Sequence, residues 1–131
     1  MMGNARKFID STPYKDFPFD AQSMENAFLQ MMEDGLCIVA EQDGMHLGGV
    51  GAVKSTIFFS LTTVAAERFW WVVPDDRAAG VGKALLKAIH EAAKKANCTC
   101  LQMISLADPK VDAIYKSLDF TETEHSFIKV L

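Results

Sequence analysis

The stretch Val72-Val73-Pro74-Asp75-Asp76-Arg77-Ala78-Ala79-Gly80-Val81-Gly82-Lys83 holds residue types at a spacing that suits an anion. An apolar run stops at a proline, a short turn follows, and a helical pattern opens on Gly-x-Gly. The first N–H groups of a helix lack intrahelical acceptors, and the helix dipole favours negative charge there. Gly80 and Gly82 let a phosphate approach the backbone with no Cβ in the way, and Arg77 and Lys83 add positive charge. The pattern reads as a pyrophosphate-binding turn. It is not a P-loop, because Ala84 follows Lys83 and Arg77 stands where the first glycine belongs. Nor is it a Rossmann fingerprint, because Leu85 occupies the third small position.

The elements that must hold this turn follow from periodicity. Residues 4–11 read as a short first strand. The two prolines of 11–18 mark a loop, and Asp20 is placed to cap a helix over 21–34. Met24, Phe28, Met31 and Met32 form its apolar stripe, and Gly35 stops it. Leu36–Ala40 reads as a buried strand, Asp43-Gly44 as a hairpin turn, and 46–54 as the partner strand. Residues 55–66 fit either a strand or a loop. Residues 68–73 form a strand ending at Pro74, and 80–96 form an amphipathic helix carrying Val81, Leu85, Ile89 and Ala92 on one face. Thr99–Leu106 is the next strand. Asp108-Pro109 starts a helix with Val111, Ile114, Tyr115 and Leu118, Asp119 ends it in the left-handed region, and Phe127–Leu131 is a last strand.

Composition bounds the rest. The 131 residues suit one domain, 1–131, and half of them are hydrophobic, enough for a core without staples. A net charge of −4 argues against a nucleic-acid partner. No segment is apolar enough for a membrane span, the N-terminal run lacks the apolar core of a secretory signal, and Met at position 2 removes a myristoylation context. Cys37, Cys98 and Cys100 show no framework spacing and read as buried, reduced thiols of a cytoplasmic protein. His46, His90 and His125 have no metal-ligand spacing, so no metal is expected.

Two blocks resemble a known family. Arg77-x-x-Gly80-x-Gly82 after Val72-Val73-Pro74 resembles motif A of the GNAT acetyltransferases. Ile114-Tyr115-Lys116-Ser117-Leu118-Asp119-Phe120 resembles the family's second signature, with Asp119 in place of the usual glycine. The resemblance covers about residues 65–131 well and 20–54 in layout.

It implies an α/β fold: a mixed, mostly antiparallel twisted sheet flanked by helices, with a splayed central pair of parallel strands. It implies acetyl-CoA as cosubstrate, with Trp71, Val72 and Val73 pairing with its pantetheine arm. Arg77, Ala78, Ala79, Gly80, Val81, Gly82 and Lys83 would bind its pyrophosphate, and Lys87 or Lys116 could reach the 3′-phosphate if not simply solvated. The reaction would be direct acetyl transfer to a primary amine of a small molecule or peptide. Glu67 would be the base, directly or through a water, and Tyr115 the acid or an orienting group beside the sulfur. A backbone N–H of Trp71 or a close neighbour would stabilise the carbonyl oxygen. The alternative for Glu67 is a surface carboxylate, and for Tyr115 a core residue. Asp16, Asp20, Glu25, Glu33 and Asp34 could form an acidic rim for a cationic amine. Family members often form homodimers, for which an exposed Phe59 or Trp70 would serve. The competing functions are a non-catalytic acyl-CoA-binding or regulatory module, and an interaction subunit without cofactor.

Overall fold

The computed structural model describes residues 2–131, with side chains from Ala5 onward. Met1 lies outside the described residues. The chain opens with a helix, α1 (Met2–Asp10), where a strand was expected. Ala5, Phe8 and Ile9 recur at helical spacing, and all three face the second helix or the cleft beneath it. The Ser11 and Thr12 hydroxyls bond back to the Phe8 and Ile9 carbonyls and close the helix end.

Helix α2 (Ala21–Glu33) follows, with Asp20 at its N-cap accepting from the Ser23 hydroxyl. It buries Phe28 and Met31 while Met32 stays half exposed, so the stripe is narrower than expected. Gly35, at φ 73°, ends it as anticipated. Strands β1 (Cys37–Gln42) and β2 (Met45–Thr56) form an antiparallel hairpin around Asp43 and Gly44, both at positive φ.

Strand β3 (Thr63–Val72) begins five residues earlier than the aromatic run suggests, which resolves the ambiguous segment into a loop over 57–62 and a strand start. It pairs antiparallel with β2, but the register slips: Gly51 faces Phe69 and Ala52 faces Glu67. Arg68 therefore has no partner and forms a bulge, which resets the pleat beyond it. A turn of 3₁₀ helix (Asp76–Ala78) leads to α3 (Val81–Lys95).

Strand β4 (Cys100–Gln102) runs parallel to β3 and covers only Val64 to Ala66. The sheet order is β1-β2-β3-β4. This is the expected mixed, mostly antiparallel sheet with one parallel pair, and that pair sits at one side of the sheet. Beyond Gln102 the chain leaves β3, and Leu106 and Ala107 take left-handed φ, so the strand expected to reach Leu106 is cut short. Asp108 caps α4 (Pro109–Ser117) by accepting from the Lys110 N–H, and Asp119 is left-handed at φ 65°. The last expected strand, 127–131, does not form: Phe127, Ile128, Val130 and Leu131 are exposed and have no ladder partner.

Two apolar clusters sandwich the sheet. On one face Leu85, Ile89 and Ala93 of α3 pack on Val50, Ala52 and Ala65. On the other, Phe28 and Met31 of α2 pack on Phe69, with the Phe28 and Phe69 rings edge to face at 5.1 Å. Gly51 makes room for this contact, since a Cβ there would lie 2.3 Å from the Phe69 ring. The thiols only partly match expectation. Cys37 and Cys98 are half-buried, whereas Cys100 is exposed, because β4 is an edge strand with one open face.

Candidate active site

The Gly80–Lys83 turn has the donor geometry its sequence suggests. Gly80 caps α3 at φ 80°, in the left-handed region that favours glycine. The first backbone bond into the helix is Ala84 N–H to Gly80 O. Among the described residues no acceptor meets the N–H groups of Gly80, Val81, Gly82 or Lys83. Ala78 and Ala79 differ: their N–H groups are committed to Asp75 O and Asp76 O inside the turn. Arg77 folds back on Asp75 in a 2.9 Å ion pair, which holds the Asp75 carboxyl down at a pKa of about 2. The guanidinium therefore braces the turn from its own side, where its free charge was expected to add to the anion site.

Beside this turn, β3 has an open edge. Beyond Ala66 it has no partner on the β4 side. The Val73 N–H bonds to Leu47 O, which makes 47 and 73 a hydrogen-bonded pair of the antiparallel ladder. By alternation, Trp71 also turns its polar backbone groups toward β2. In agreement, a Cβ on Gly48 would lie 2.7 Å from the Trp71 carbonyl oxygen. The groups left facing the open edge are those of Trp70 and Val72. Of the three residues assigned to the pantetheine arm, only Val72 faces the opening, and Trp70 joins it. Sequence reasoning missed Trp70, although strand alternation forbids three consecutive residues from facing one edge. A cofactor with a diphosphate and an amide-bearing arm fits this pairing of free N–H groups with an open strand edge.

Glu67 and Tyr115 come together at the end of β4. The bulge at Arg68 leaves Glu67 on the α3 face of the sheet, level with Ala65, and the residue is 6% exposed. Burial pushes its carboxyl up to a pKa of about 8, against smaller opposing pulls from the Ile104 N–H and the Arg68 guanidinium. The surface-carboxylate reading of Glu67 thus gives way to a buried one. Tyr115 is also buried, and its hydroxyl donates to the Ile104 carbonyl at 2.8 Å. Burial raises its pKa above the ordinary tyrosine value, with the charges of Glu67 and Asp112 adding to the shift. Its ring lies 5.6 Å from Trp70 and 5.4 Å from Phe120. The Trp70 indole N–H is buried and has no partner among the described residues.

Lys83 and Lys87 are exposed on α3, and Lys116 lies 3.8 Å from Glu122. Phe59 is bare on the 57–62 loop, whereas Trp70 is half-buried against Tyr115 and does not offer a free aromatic face. Among the described residues no cluster of His, Cys, Asp and Glu could hold a metal.

The model of the acetyltransferase (GNAT) domain matches residues 33–122, which is more than half of the chain. The chain belongs to the GNAT acetyltransferases. Solved structures extend the likeness over nearly its whole length. An acetyltransferase of Trypanosoma brucei is 20% identical, with 99% of this chain and 92% of the other covered and a TM-score of 0.71. The aminoglycoside N-acetyltransferase AAC(6′)-Iy, solved in complex with CoA, is 21% identical over 99% and 88%, with a TM-score of 0.70. A ribosomal-protein-alanine N-acetyltransferase of Brucella melitensis is 17% identical over 87% and 80%, with a TM-score of 0.64. At these identities the likeness speaks for the fold. No curated protein matches the chain.

Proposed function

We propose that this GNAT protein is an N-acetyltransferase that moves the acetyl group of acetyl-CoA directly to a primary amine. The observation that carries the reading is the open edge of β3, with the buried Glu67 carboxyl where β4 parts from it and the free N–H groups of Gly80–Lys83 in the turn that follows its far end.

Bound acetyl-CoA supplies a thioester carbonyl for attack and a thiolate leaving group. Gly80, Val81, Gly82 and Lys83 hold the diphosphate through backbone N–H groups. Trp70 and Val72 pair with the amide arm, and one of their N–H groups supports the carbonyl oxygen as it gains charge. An amine near its usual pKa of ~10.4 is mostly protonated at neutral pH and must lose a proton to attack. Ionised Glu67 takes that proton, directly or through a water. As the N–C bond forms and the C–S bond breaks, the nitrogen gives up its second proton to become an amide, and that proton offsets the one the departing thiolate takes up. Tyr115 is a poor source for it, because its own proton is held by Ile104 O and its pKa lies above the ordinary value. We assign Tyr115 to positioning: it fixes Trp70 and the Ile104 peptide beside Glu67.

The test is titration calorimetry with acetyl-CoA on the wild type and on Gly82→Trp, followed by thiol release with an amine panel. Binding by the wild type and its loss in the variant are expected. A wild type that does not bind acetyl-CoA overturns the reading in favour of an interaction module.

A further inference from the structure

The end of β3 away from the Gly80–Lys83 turn carries residues that the reaction does not use. The loop that joins β2 to β3 runs Ile57-Phe58-Phe59-Ser60-Leu61-Thr62. Phe58, Phe59 and Leu61 are 96%, 76% and 97% exposed, so they project from the tip into solvent. The two Phe rings meet edge to face at 5.0 Å. The polar groups of the loop turn on one another: the Ile57 N–H donates to Thr62 O, the Ser60 N–H to Ile57 O, and the Ser60 and Thr62 hydroxyls lie 2.8 Å apart. Lysines collar this tip. Exposed Lys54 lines an open recess of about 330 Å³ with Ser55, Thr56 and Thr63. The Thr99 N–H donates to Thr63 O at 2.8 Å, which brings the end of α3, with Lys94 and Lys95 in its last turn, to the same end of the sheet. None of these three lysines has an ion-pair partner among the described residues. Segments 54–66 and 92–106 contain no Asp or Glu, although acids outnumber Lys and Arg by 17 to 13 in the chain.

We propose that this end of the molecule docks on the surface of an anionic lipid bilayer. Phe58, Phe59 and Leu61 enter the boundary of the apolar layer, and Lys54, Lys94 and Lys95 meet the lipid phosphates. Exposed apolar groups rimmed by polar residues mark an interaction surface. A second copy of the chain is a poor occupant. Large aromatics bury about 150–250 Å² each, so the three side chains offer roughly 500 Å², against about 800 Å² per partner in a standard protein interface. Two copies would also bring like-charged lysines together. A bilayer accepts a projecting tip, and hydrogen bonds within the loop lower the cost of taking its polar groups out of water. The excess acids elsewhere on the chain are repelled by the same surface, which orients the docking. The contact is peripheral: among the described residues no helix is long and apolar enough to cross a membrane. Ten residues of β3 separate the tip from the far end of the strand, about 30 Å, so docking leaves the proposed cofactor turn free.

The experiment is co-sedimentation of the full chain with vesicles of equal parts phosphatidylcholine and phosphatidylserine, beside vesicles of phosphatidylcholine alone. Binding to the mixed vesicles is expected at a partition constant on the order of 10⁴ M⁻¹, the regime of a single lipid chain. Phosphatidylcholine alone should bind about tenfold more weakly or less well still, since each lysine near an anionic surface adds to the attraction. Phe58→Ser combined with Phe59→Ser should cut binding by about tenfold or more. Lys54→Gln, Lys94→Gln and Lys95→Gln together should bring the mixed vesicles down to the phosphatidylcholine level. Raised salt should do the same to the unaltered chain by screening, which reads the lysines without any substitution. The altered side chains are exposed, so circular dichroism melts of both variants should coincide with that of the wild type. Absence of sedimentation with the mixed vesicles overturns the proposal. So does binding that survives the loss of both rings, or that is equal on phosphatidylcholine alone. A dimer in gel filtration that Phe58→Ser with Phe59→Ser dissolves, without vesicle binding, gives the tip to a second copy and overturns it too.

Discussion

The Tyr115 hydroxyl donates to the Ile104 carbonyl at 2.8 Å and so ties α4 to the segment where β4 parts from β3. The N–H of the same residue pulls on Glu67, so one peptide segment senses both proposed site residues. Tyr115→Phe removes the donor and leaves a carbonyl unpaired. We expect a stability loss of about 1 kcal/mol, read as a Tm drop of ~2–6 °C. A positioning role predicts lower kcat with the alkaline limb of the pH profile unmoved. If that limb shifts, Tyr115 is the proton donor after all.

Glu67 predicts the acid side of the profile. With its carboxyl near pKa 8, the ionised base is the minor form at neutral pH, so kcat/KM should rise to a plateau above about pH 8. Glu67→Gln should lower kcat by ~10²–10⁴ and abolish this limb. A limb that persists in the variant assigns the proton transfer to another group.

The same residue predicts how stability follows pH. Its folded pKa, about 8, lies above the ordinary value of 4.5, so the folded state binds the extra proton between them. The contribution is fully present below pH 4.5 and is lost as pH rises through 8. Thermal melts across this window should show wild-type stability falling relative to Glu67→Gln, whose side chain cannot ionise. Parallel curves would mean that Glu67 is not desolvated in solution.

Gly51 is a packing prediction independent of function. A Cβ at this position meets the Phe69 ring at 2.3 Å and the Met31 sulfur at 2.8 Å. Gly51→Ala should destabilise the chain by ~1–3 kcal/mol through overpacking, measured by urea denaturation. Gly82→Ala is the contrast. Its Cβ would reach Trp70 and Val72 at 3.4 and 3.5 Å, ordinary contact distances, so the fold should tolerate it.

The sequence made the second half legible because its signals are local. The glycines at 80 and 82, the Asp108-Pro109 start and the Asp119 stop each act within one turn, and the structure follows them. The hairpin at Asp43-Gly44 was legible for the same reason. What stayed hidden depends on pairing between distant residues. The bulge at Arg68 appears only when β2 is laid beside β3, so the facing of Trp70, Val72 and Trp71 could not be assigned from spacing. Strand propensity at 127–131 misled because a strand needs a ladder partner, and among the described residues this segment has none. The α1 helix was missed because a run of nine residues supports two periods.

The open edge of β3 also bears on how this protein behaves at high concentration. An unpaired row of N–H and C=O groups is a template for any other strand, and such rows seed aggregation. Here the exposed stretch is short, because β4 covers Val64–Ala66 and Pro74 follows the strand's far end. The Arg68 bulge further breaks its regularity. A ligand seated along the edge would act as a surrogate strand, and the ligand-free chain would be the form most prone to self-association.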